Sequence, residues 1–144
     1  MTRDLYDLER FVVAQDAGGT YASAAAELRA GRKLTHWMWF VFPQIAGLGM
    51  SEMSRRYAIS SLDEARVYLA HPILGERLRE CARVLTELDG KTADDVFGHV
   101  DAIKLRSSMT LFARAAPADP LFADVLDRYF DGAADDATDA RLRG

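Results

Sequence analysis

The sequence has no asparagine and only two glutamines, Gln15 and Gln44. It has three lysines (Lys33, Lys91 and Lys104) against fifteen arginines, and a single cysteine, Cys81. One cysteine excludes an intrachain disulfide. The three histidines, His36, His71 and His99, have no helix-face ligand spacing, so neither a metal nor a cofactor is expected. Cys81 lies among Leu78, Ala82 and Leu85 and reads as a small core hydrophobe in a reducing cytoplasm. Long apolar runs are also missing. The most apolar stretch, residues 34–42, contains His36 and falls far short of the ~20 residues of a spanning helix, so no membrane is expected. Residues 1–9 are charged and lack the apolar region of a secretory signal. A net charge of −4 argues against a nucleic-acid partner, whose footprint is a basic excess.

What remains is an ordinary globular composition. The chain has 144 residues, 49% hydrophobic and 28% charged, which suits one domain with a sizeable core. Apolar spacing is helical nearly throughout. Leu5, Leu8, Val12 and Gln15 form one stripe, and Leu74, Leu78, Cys81, Leu85 and Leu88 form another. Ser51 caps a short helix, Ser61 with Glu64 makes a capping-box pattern, and Thr92 with Asp95 starts a further helix. Gly31 suits the position just past a helix end. These signals predict an all-α fold of seven to nine obliquely packed, partly short helices over residues 1–132. Residues 133–144 read as a polar, weakly ordered tail.

Residues 31–44 stand apart. Four of the fourteen aromatics, Trp37, Trp39, Phe40 and Phe42, fall within six positions, flanked by Lys33, His36 and Gln44. Aromatic walls with a few convergent polar groups are how small-molecule pockets are built, although the same residues also build cores. This stretch, together with Gly47-Leu48-Gly49, Tyr68-Leu69-Ala70-His71-Pro72-Ile73-Leu74-Gly75 and Lys104-Leu105-Arg106-Ser107-Ser108-Met109, resembles the bacterial family catalogued as domain of unknown function 1810. The resemblance runs from about Leu8 to Gly132 and implies a mainly helical single domain. It implies no activity. Members sometimes bear the label calpastatin, but no residue pattern here supports protease inhibition.

The expected site is a pocket walled by Trp37, Trp39, Phe40 and Tyr57, with Gln15, Lys33, His36, Gln44 and Lys104 as polar contacts. Its ligand would be a small anionic, ring-bearing metabolite, because cations hold anions and aromatics stack on rings. Lys104, Ser107 and Ser108, at i, i+3 and i+4, present an amine and two hydroxyls on one helix face. A lysine there suits gripping an anion, or pairing with Asp101 or Glu27, better than activating a serine. Any catalysis would be hydrolysis or group transfer, with His36 or Glu27 as proton shuttle and Lys104 as a further candidate. Arg55 and Arg56 form a separate basic pair, and Gly47-Leu48-Gly49 lacks the strand-to-helix context of a phosphate loop. The alternative is a protein-interaction module docking through residues 37–44 or 47–51, and a third reading makes all these residues core.

Overall fold

The computed structural model describes residues 4–143. Nine α-helices lie between Glu9 and Phe130 among the described residues: α1 Glu9–Asp16, α2 Thr20–Arg29, α3 Met38–Val41, α4 Glu52–Arg56, α5 Leu62–Ala70, α6 Leu74–Glu87, α7 Ala93–Phe97, α8 His99–Ala115 and α9 Leu121–Phe130. The one β-type pairing among these residues is an isolated parallel bridge between Ile45 and Ile59. The fold is thus all-α, and no described helix is long and apolar enough to cross a membrane.

The longest helix, α8, is central and packs against α5, α7 and α9. Its Leu105, Met109, Leu111 and Phe112 are fully buried. The stripe read on α6 is real: Leu74, Leu78, Cys81 and Leu85 all face the core. Where α5 meets α6, Gly75 lets two backbones touch. A Cβ there would stand 2.1 Å from the Leu69 carbonyl oxygen.

Local signals set most boundaries. Ser51 Oγ accepts from Ser54 N, and Thr92 and Asp95 form a reciprocal capping box. Gly31, just past α2, has φ +78°. Ser61 caps α5, but Glu64 does not reach back to it. Its carboxylate accepts instead from Ser60 N (2.9 Å), Ser60 Oγ (2.7 Å) and Arg10 (3.1 Å). Arg10 also donates to the Arg56 and Ala58 carbonyls, which ties α1 to the end of α4 and the start of α5.

Two segments show more than their local sequence pattern specifies. The aromatic stretch is mostly non-helical. Only α3, a single turn, is helical, although Trp37, Met38, Phe40, Val41 and Phe42 are buried as their apolarity requires. The segment read as a weakly ordered tail contains a tenth helix, α10 (Asp136–Arg143), docked on α8. Polar contacts hold it. Asp135 accepts from Thr138 N (3.2 Å) and Ser107 Oγ (2.9 Å), and Arg114 donates twice to Asp139 (2.9 and 3.0 Å). A helix anchored by polar side chains leaves little apolar periodicity to read.

Candidate functional site

The residues expected to line one pocket fall into separate groups, and most of their polar atoms are already used. Gln15 is buried on α1. Its Nε2 donates to the Phe40 carbonyl (2.7 Å) and toward Tyr68 Oη (3.4 Å), while its Oε1 accepts from Arg77 (3.1 Å). Its amide therefore cross-links α1, α3, α5 and α6 from inside the core. Phe40 and Tyr57 are buried too, their rings packed edge to face at 5.3 Å.

Glu27, near the end of α2, organises the loop before α3. Its carboxylate accepts from Leu34 N (2.7 Å), Thr35 N (2.9 Å), Thr35 Oγ1 (2.6 Å) and the indole of fully buried Trp37 (3.0 Å). Burial by itself raises its pKa. The donors from Thr35, Leu34 and Trp37 outweigh that and bring the pKa down to about 2. A carboxylate closed in by four donors and held ionised at neutrality serves this loop and is poorly suited to shuttling protons.

The two lysines do converge, but on a carboxylate. Lys33 meets Asp101 at 2.9 Å and Lys104 meets it at 3.3 Å. Lys33 lies over the Trp37 ring and Lys104 over the Trp39 ring, at 5.0 and 5.2 Å from the centroids. Lys33 also donates to the Thr35 carbonyl (2.6 Å), and its side chain is only 7% exposed. The aromatic–cation pairing expected for a ligand is thus consumed in pinning residues 33–39 to α8. Ser107 is committed to the Ile103 carbonyl and Asp135. Ser108 is fully buried, and its Oγ has no partner among the described residues. His36 is exposed.

Unspent groups meet elsewhere. A cleft of about 190 Å³ opens beside the loop after α3, lined by Gln44, Ile45, Ala46, Gly47, Gly49, Ser54, Arg55 and Ala58. The bridge between Ile45 and Ile59, with Ile59 N donating to the Gln44 carbonyl (2.8 Å), fixes one wall. Gly49 lets the loop close on α4, since a Cβ there would stand 2.4 Å from Ser54 Oγ. That Oγ accepts from Ser51 Oγ (2.9 Å), which leaves its own proton free to donate. The Gln44 carboxamide and the Arg55 guanidinium have no hydrogen-bond or ion-pair partner among the described residues. Gln44 belonged to the expected site. Ser54 and Arg55 did not, although the arginine pair beside a glycine-rich loop was a visible signal. A second cleft of about 380 Å³ shares the Ile45–Ala46 wall and brings in Arg141 from α10, which no local pattern announces.

The comparisons agree with this fold. A crystal structure of a conserved hypothetical protein from Mycobacterium tuberculosis superposes with a TM-score of 0.94 at 50% identity, covering 98% of this chain and 99% of that one. No curated protein matches. The model of the family described as a protein of unknown function, DUF1810, matches residues 5–142, and the chain belongs to that family.

Proposed function

We propose that this protein binds a small anionic metabolite by its charged end group in the cleft between Gln44 and Arg55. One observation carries the reading: an amide, a hydroxyl and a guanidinium, all with donors to spare, line the same hollow. Most buried and half-buried polar groups that serve the fold have partners, as Gln15, Glu27 and Lys33 do here, with Ser108 the exception. A guanidinium with a free planar fork suits a carboxylate or a phosphate. At about 190 Å³ the cleft is smaller than the roughly 300–1,000 Å³ of sites that enclose a drug-sized ligand. It therefore takes an end group and leaves the rest of the molecule outside. Its walls hold no aromatic ring, so ring stacking is not part of the recognition. Its lining contains no carboxylate, histidine or cysteine, so the reading is binding and not proton transfer.

The test is a thermal-shift panel of phosphate, sulfate, sugar phosphates and dicarboxylates on the wild type, Arg55→Ala and Gln44→Ala. A ligand at a hundred times its Kd adds about 2.7 kcal/mol, a rise on the order of 8 °C for a chain this size. The rise should vanish in Arg55→Ala and shrink in Gln44→Ala. A rise that persists in natively folded Arg55→Ala rejects the site.

A protein-docking reading finds support at a further place besides residues 37–44, which are largely buried, and the exposed loop 47–51. A groove of about 460 Å³ between the N-terminal residues and the end of α5 is lined by Leu5, Tyr6, Leu8, Val67 and Pro72, and Leu5 is 74% exposed. Pull-down of the same protein by wild type and by Val67→Asp argues against it.

A further inference from the structure

We infer that the ligand carries two neighbouring anionic groups, as a diphosphate ester does, with Arg55 gripping one and Arg141 the other across the Gly47 loop. The inference rests on the reading above and sharpens it. Arg141 Nη2 donates to the Gly47 carbonyl at 3.2 Å. Gly47 has φ +96°, and a Cβ there would stand 2.8 Å from Arg141 Cζ and 2.9 Å from its Nη1. A glycine is therefore needed twice at this position, once for the backbone and once to admit the guanidinium. Gly47 also lines the Arg55 cleft, so one residue separates a second cation from the first anion position. A guanidinium has five N–H donors, and the Gly47 carbonyl is the one acceptor Arg141 has among the described residues. Behind it lies the cleft of about 380 Å³ that shares Ile45 and Ala46 with the first.

The lining of this second cleft holds the Arg141 guanidinium and no carboxylate. The Glu64 carboxylate behind Ser60 is neutralised by Arg10, and Asp139 on α10 is taken by Arg114. Arg55 lines the first cleft and Arg141 the second, so a single small anion sits with one arginine. Two linked anions spanning the Gly47 loop engage both, and the second charge-assisted contact comes without a second loss of translational freedom. The helix does not depend on Arg141 for its seat, because Asp135 and the Arg114–Asp139 pair hold it. Arg141→Ala should remove the cation and leave α10 in place.

The full chain is titrated with orthophosphate and with diphosphate at matched ionic strength, in wild type, Arg55→Ala, Arg141→Ala and Arg143→Ala. Diphosphate should bind about tenfold tighter than orthophosphate in the wild type. Arg141→Ala should bring that ratio close to one while orthophosphate affinity stays within about twofold. Arg143→Ala, two residues on and on the opposite side of the same helix, should change neither. Equal wild-type affinities, a ratio that survives Arg141→Ala, or an equal fall in Arg143→Ala overturns the two-anion inference. Orthophosphate binding that is lost in Arg55→Ala would still leave the single-anion reading standing. No binding of either anion overturns both.

Discussion

Glu27→Ala removes one carboxylate that accepts four hydrogen bonds, and the cost can be worked donor by donor. Trp37 is fully buried, and its indole N–H donates to Glu27 alone among the described residues. Leaving that donor unpaired costs about 1–3 kcal/mol. Leu34 N, Thr35 N and Thr35 Oγ1 sit at exposed positions and can turn to water, so each loses only about 0.5 kcal/mol. The sum is about 3 kcal/mol, a fall in Tm on the order of 10 °C. Glu27→Gln keeps an acceptor for the indole but loses the charge, and should cost about half as much. The pH dependence has a fixed sign. The carboxyl takes up a proton near 4.5 in the unfolded chain but only near about 2 in the folded one. Its contribution is complete above the unfolded value and drains away as pH falls toward 2. The stability gap between wild type and Glu27→Gln should therefore narrow between pH 5 and pH 3. Urea denaturation followed by tryptophan fluorescence measures it. A cost below about 1 kcal/mol for Glu27→Ala at pH 7 refutes the reasoning, as does a gap that is the same at pH 3 and pH 7.

Four further outcomes follow from single contacts. Gln15→Leu strips the partners from the Phe40 carbonyl and part of the Arg77 guanidinium inside the core, and should cost about 2–4 kcal/mol by chemical denaturation. Ser108→Ala removes a buried hydroxyl that has no partner, so it should be neutral or raise stability by up to about 1 kcal/mol; a clear loss would mean the hydroxyl is bonded. Gly75→Ala drives a methyl into the Leu69 carbonyl and should sharply lower the yield of folded protein or its Tm. Burial, as the largest cause, pushes the Cys81 thiol up to about 12, so iodoacetamide at pH 8 should label it only in denaturant.

How far the sequence could be read differs between elements for physical reasons. The α6 stripe was legible because an amphipathic helix writes its buried face at intervals of three and four. The caps at Ser51 and Thr92 were legible because a cap is a local bond within four residues. The Ser61–Glu64 box was half legible: the spacing was right, but Ser60, one residue before the cap, took one carboxylate oxygen and Arg10, 54 positions away, took the other. The candidate site was the least legible. Gln15, Lys33 and Lys104 stood out by scarcity, and the local Lys104–Asp101 pairing was among the expectations, yet scarcity does not reveal that Arg77 will hold Gln15 or that Lys33 will join the same Asp101.

By itself, then, the sequence determined the amphipathic helices, most of their ends and which of their faces are apolar, since these depend on spacing within a turn or two; α10, held by polar contacts, lay outside its reach. It also determined the family, through motifs written in order along the chain. Tertiary packing decided which polar groups were consumed and which were left over. It set Asp101 between two lysines and closed Glu27 around an indole. It also carried Arg141 across 94 positions to the Gly47 carbonyl. Whether a donor is free depends on who stands beside it in space, and that is fixed only when distant segments meet.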